Sequence, residues 1–113
     1  MKFSINSLPT PVNQKYISRS YVLNSKYRDW RDQVKEHVPR GHVIMVGDVG
    51  LQVDFYYKRE RDIDSGLKCL LDGMSGCVYE DDKQVIELVV TKNKVESVKE
   101  VMTVVQIDNL SLT

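Results

Sequence analysis

Residues 51–76 read LQVDFYYKRERDIDSGLKCLLDGMSG, and this stretch decides the fold. Leu51, Val53, Phe55 and Tyr57 alternate with Gln52, Asp54 and Tyr56, the period of a strand with one buried face. Leu67, Leu70, Leu71 and Met74 then recur at three and four residues, the stripe of an amphipathic helix, and Gly76 supplies its stop. Between them Lys58-Arg59-Glu60-Arg61-Asp62-Ile63-Asp64 is too charged to be buried, so it forms the connection. Asp64 or Ser65 is expected to cap the helix, and Ile63 to staple its start.

Upstream, Tyr27, Trp30, Val34 and Val38 mark a second helix, with Asn24-Ser25 as its N-cap and Pro39 and Gly41 ending it. Its charges sort into a basic stripe, Arg28, Arg31 and Lys35, beside an acidic one, Asp29, Asp32 and Glu36, the pattern of a solvated, weakly ion-paired face. Lys2 to Leu8 alternates as a strand, and the prolines of Leu8-Pro9-Thr10-Pro11-Val12-Asn13-Gln14-Lys15 make that segment an extended loop rather than a continued strand. Tyr16 to Val22 reads either as a short strand or as part of an arm, and His42 to Val46 as strand or loop. Downstream, Tyr79 to Lys83 is a polar turn, and Gln84–Lys92 and Val101–Ile107 are strands. The order predicts an α/β (α+β) fold, a small mixed β-sheet with two main helices covering one face. At 113 residues this is one domain, residues 1–113, with one modest core.

Sixteen basic and sixteen acidic residues exclude a polycation that holds nucleic acid by bulk charge. Neutrality nevertheless hides a split: residues 1–61 carry a net +5 and residues 62–113 a net −5. The apolar fraction, 42%, is too high for intrinsic disorder, and no apolar run is long enough to span a bilayer. Met1 to Asn6 lacks the apolar run and cleavage site of a signal peptide. Cys69 and Cys77 lack CxxC spacing and sit in apolar sequence, which suits buried free thiols in a reducing compartment. The expected location is cytoplasmic, or at least intracellular, with no membrane partner.

Candidate chemistry lies in Asp62-Ile63-Asp64 and Asp81-Asp82. Two aspartates at i and i+2 face the same side only on an extended segment, which the strand-to-helix junction provides. The intervening helix and turn are short, so Asp81-Asp82 is expected to fold back to the C-terminal end of the strand. Carboxylates gathered this way repel unless a cation joins them, and an all-oxygen set suits Mg²⁺ or Mn²⁺. Zinc is disfavoured because His37, His42 and the cysteines lack ligand spacing. Lys68 stands four residues from both Asp64 and Asp72, on one helical stripe. Spacing alone leaves two readings open: metal-assisted phosphoryl chemistry with Lys68 beside the metal, or a capped, salt-bridged helix.

At these residues the chain resembles the RusA family of Holliday-junction resolvases. That family carries Asp-x-Asp-Asn-x-x-Lys, an aspartate four residues after the lysine, and a downstream Asp-Asp-x-Gln-Val/Ile element. The counterparts are Asp62, Asp64, Lys68 and Asp72, then Asp81-Asp82-Lys83-Gln84-Val85. Leu8 to Tyr16 is similar to the proline-rich opening of the family, which ends in Asn and basic or aromatic residues, here Asn13, Lys15 and Tyr16. The resemblance implies a homodimer that binds branched DNA, the four-way junction, and nicks it symmetrically using Mg²⁺, with Mn²⁺ as a substitute and no small-molecule cofactor. Carried over by position, Asp62, Asp64 and Asp82 are the essential carboxylates, with Asp81 beside them as a further metal ligand, and Lys68 is the catalytic lysine. Arg61 matches a basic residue next to the first aspartate. Ser65 stands where the family usually has Asn, and Gly66 where a bulkier residue is common.

The expected reaction is hydrolysis of a DNA phosphodiester, with metal polarising the phosphate and Lys68 neutralising the transition state. DNA has to be held near an acidic centre, so Asn13, Lys15, Arg19, Lys58, Arg59 and Arg61 are the candidate DNA-binding residues. Tyr16, Tyr56 and Tyr79 are candidates for stacking on opened bases, against ordinary packing. The alternatives are a junction-binding protein weakened in catalysis at Ser65, a metal nuclease without structure preference, and an interaction domain whose acids never meet a metal.

Overall fold

In the computed structural model, residues 1–11, 16–17 and 22–110 are described, with side chains from residue 24 onward in the last segment. Eight elements succeed one another along the chain: β1 (Lys2–Ile5), β2 (Tyr16–Ile17), β3 (Val22–Leu23), α1 (Ser25–His37), β4 (Val49–Tyr57), α2 (Leu67–Met74), β5 (Val85–Lys94) and β6 (Met102–Asn109). Single 3₁₀ turns at Asp82–Gln84 and Val98–Glu100 precede β5 and β6. The main sheet runs β1-β6-β4-β5, and β2-β3 form a separate antiparallel pair. β4 is parallel to β5 and antiparallel to β6, so the sheet is mixed, as expected.

The periodicities place the core. Val49, Leu51, Val53, Phe55 and Tyr57 of β4 are all buried, and Val105 and Ile107 of β6 and Phe3 and Ile5 of β1 join them. Against them pack Tyr27, Trp30 and Val34 of α1 and Cys69, Leu70 and Met74 of α2. Asn24 caps α1, accepting from the Lys26 N–H at 2.9 Å. The helices meet at Gly73, where a Cβ would lie 2.6 Å from Val34 Cγ2 and 2.8 Å from the Arg31 carbonyl oxygen. No other residue permits so close a crossing.

Several boundaries move. β1 stops at Ile5 because Ser7 has other partners: its hydroxyl accepts from Trp30 Nε1 at 2.7 Å, and its carbonyl accepts from Thr103 Oγ1 at 2.8 Å. Residues 42–48 form no strand, only an isolated bridge from Met45 to Tyr79. Tyr79 is not part of an exposed polar turn; it is wholly buried, with its hydroxyl on the Leu71 carbonyl. Cys69 is the buried free thiol expected, whereas the free thiol of Cys77 is only half-buried. No helix among the described residues is long and apolar enough to cross a membrane.

Candidate functional site

The chain leaving β4 makes two successive turns before α2. The Ser65 N–H donates to the Asp62 carbonyl and the Leu67 N–H to the Asp64 carbonyl, both at 3.0 Å. The segment is therefore not extended through Asp64, and neither Asp64 nor Ser65 caps the helix. The cap is Gly66, in the left-handed region at φ 81°, with no side-chain cap bond. Only glycine fits there, because a Cβ on Gly66 would sit 2.5 Å from the Pro9 carbonyl oxygen. Ile63, expected to staple the helix start, is exposed.

Arg61 closes this contact. Its Nη2 donates to the Pro9 carbonyl at 2.9 Å, the Ser65 carbonyl at 2.9 Å and Ser65 Oγ at 3.2 Å. Burial lowers the pKa of this guanidinium, and its Nε is enclosed without a hydrogen-bond partner. The proline-rich loop is thereby fastened to the segment that bears Asp62 and Asp64, both of which are exposed. The sequence points to Arg61 as a phosphate contact and does not reveal this clamp. Its one visible signal is a glycine standing between the acidic motif and the helix.

Lys68 occupies the centre of the remaining acids. Its Nζ lies 3.0 Å from Asp72 Oδ1 and 3.1 Å from Asp82 Oδ2. These two carboxylates, Asp72 first, raise the pKa of the ammonium. The expected pairing with Asp72 holds, but the second partner is Asp82 from across the fold rather than Asp64, which lies outside the helix. Asp72 Oδ2 accepts from the Tyr27 hydroxyl at 2.5 Å, a contact between helices that spacing could not reveal.

Asp81 works on the backbone. It accepts from the Lys83 N–H at 2.9 Å, while the Gln84 side chain returns to the Asp81 N–H at 3.0 Å, a complete capping box. The Lys83 N–H holds the Asp81 carboxyl below the usual aspartate range. Gln84 Nε2 also donates to the Met45 and Gly47 carbonyls, tying this turn to the loop before β4.

The expected return of Asp81-Asp82 to the C-terminal end of β4 is not what the register gives. Val85 pairs with Val49, so the pair precedes β5 beside the N-terminal end of β4. A parallel neighbour must start where its partner starts, and α2 makes the return crossing. Among the described residues no three His, Cys, Asp or Glu side chains are gathered closely enough to share a metal ion. The donor chemistry nevertheless fits a hard divalent cation: every candidate is a carboxylate, and an ammonium already stands as a cation between Asp72 and Asp82.

Beside the clamp, Leu8, Pro11, Val98 and Val101 wall an open cavity of about 800 Å³ bordered by Lys58, Arg59, Glu60 and Arg61. Lys58 and Arg59 are exposed, and Glu60 is held by Lys92, which also donates to the Arg61 carbonyl at 2.7 Å. Tyr56 is half-buried on the sheet face that bears Gln52 and Asp54. The side chains of Asn13, Lys15, Tyr16 and Arg19 lie outside the described residues.

Compared with known proteins, the chain matches the family model described as Endodeoxyribonuclease RusA over residues 7–108. No individual curated protein matches it.

Proposed function

The chain belongs to the RusA endodeoxyribonuclease family, whose activity is Holliday-junction resolution, and on that premise we propose that it nicks four-way DNA junctions as a homodimer with a divalent metal. The structural observation that carries the reading is Lys68, held between Asp72 and Asp82 on the helix that the Asp62-Asp64 segment enters. By the family pattern Asp62, Asp64 and Asp82, and Asp81 as a further ligand, would hold Mg²⁺ or Mn²⁺, which requires carboxylates that are not gathered here to close around the ion. When bound, the metal supplies Lewis-acid polarisation of the phosphate and a more acidic water.

The remaining steps belong to the protein. Lys68 presents an ammonium to the charge that develops on the phosphoryl oxygens. A lysine is protonated at neutral pH in any case, and its two carboxylate partners only strengthen that. Lys58 and Arg59, exposed at the cavity beside Arg61, take backbone phosphates, with Asn13, Lys15 and Arg19 extending that contact. A two-fold dimer presents two such sites to opposing strands of a nearly two-fold junction.

The test is cleavage of a synthetic four-way junction with Mg²⁺, Mn²⁺ or neither, competed with linear duplex. Paired, metal-dependent nicks at the crossover are expected, with a sedimenting mass twice 13.0 kDa. Tight binding without nicks would instead point to a junction binder weakened at Ser65. Equal cutting of linear duplex would point to a general nuclease.

A further inference from the structure

We propose that Tyr27 and Asp72 are positioning residues for Lys68: a buried phenol on α1 fixes the α2 carboxylate that sets the lysine ammonium against Asp82. The inference rests on the nuclease reading for its purpose, but not for its geometry. The two oxygens of Asp72 are used in different directions, Oδ2 by the Tyr27 hydroxyl at 2.5 Å and Oδ1 by Lys68 Nζ at 3.0 Å. That leaves the carboxylate no rotation to lose. A half-exposed lysine paired with a mobile carboxylate gains little order, because both chains wander. Here the carboxylate is anchored to Tyr27, which has no exposed surface at all.

The backbone is built for this contact. Gly73 comes directly after Asp72 and lies so close to α1 that a Cβ would meet Val34 and the Arg31 carbonyl below 3.0 Å. Cys69 Sγ, one residue after Lys68, donates to the Tyr27 carbonyl at 3.5 Å. Close helix spacing thus brings the phenol within reach of the same turn of α2 that carries the lysine. Burial and the Asp72 charge raise the phenol pKa, so the hydroxyl stays a donor wherever the enzyme works. An ordinary core tyrosine needs a partner for its hydroxyl, but any carbonyl would serve. Pairing it with the carboxylate that holds Lys68 transmits core rigidity to the site.

Two variants and two readouts test this. Tyr27→Phe deletes only the hydroxyl, and Asp72→Asn keeps the shape and an acceptor for Tyr27 while removing the charge that holds Lys68. In ¹⁵N-lysine-labelled protein the Lys68 ammonium signal, identified by its loss in Lys68→Met, should shift or broaden in both variants. Single-turnover cleavage at saturating junction should fall about tenfold, with junction Kd within about twofold and Tm lowered by the lost buried hydrogen bond but still well above the assay temperature, and the double variant should be no slower than Asp72→Asn alone. A Lys68 signal unmoved in Tyr27→Phe overturns the proposal whatever the activity. So does a moved signal with an unchanged rate, or a rate loss explained by Kd or Tm. If the parent protein cuts no junction while the signal moves as expected, the nuclease reading fails and the positioning of Lys68 stands.

Discussion

Gly66 meets two demands at once, a left-handed backbone and a 2.5 Å approach to the Pro9 carbonyl. Gly66→Ala is expected to destabilise the fold by about 2–4 kcal/mol, the sum of the conformational and overpacking penalties. Urea unfolding measures it, and a change below about 1 kcal/mol would mean that the proline loop is not seated as described. Arg61 is the neighbouring case. Arg61→Met should weaken junction binding and lower Tm together, since the guanidinium ties Pro9 to Ser65 instead of standing free for phosphate. Loss of binding at full stability would return Arg61 to the role of a simple DNA contact. The acidic motif is visible in the sequence because aspartates at fixed spacing are a local pattern. The clamp is not, because Pro9 and Arg61 are far apart in the chain and meet only through a turn that Gly66 allows.

The close approach of α1 and α2 makes an opposite-signed test available. Alanine ordinarily stabilises a helix over glycine by about 1 kcal/mol. In Gly73→Ala the new methyl would press on Val34 and the Arg31 carbonyl, so overpacking should win and stability should fall by about 1–2 kcal/mol. Thermal unfolding that showed a gain would mean the helices part easily. The turn before β5 has its own pH signature. Because the Lys83 N–H lowers the Asp81 pKa in the fold, the contribution of this carboxylate is fully present above its unfolded value and lost as pH falls through the lower folded one. A carboxyl-carbon NMR titration should put the Asp81 midpoint below the usual aspartate range, and Asp81→Asn should keep the cap while removing that acid sensitivity. A normal midpoint would deny the capping box its charge. Both helices and the three long strands are legible from periodicity, to within two or three residues at their ends. The helix caps divide: Asn24 obeys the general preference, whereas α2 uses a glycine because its entry is set by a neighbouring loop.

Across the whole molecule, the ion pairs of the fold take up individual charges without evening out the split between a basic first part and an acidic second part. Glu60 pairs with Lys92 across the division, and Lys68 is absorbed by two aspartates. Junction binding should therefore depend on a few exposed cations rather than on net charge. Lys58→Met is expected to reduce the slope of log affinity against log salt by about 0.9 per subunit, and an unchanged slope would remove Lys58 from the DNA contact. The sequence by itself determined the fold class, the core faces and which residue types could do chemistry, because periodicity and motif spacing are written within single segments. Only the tertiary structure decided which of those residues meet. The parallel register of β4 with β5 set Asp82 at one end of the sheet, and the glycine crossing of the helices brought Tyr27 to Asp72. Contacts of this kind depend on distances between elements, which no local pattern encodes.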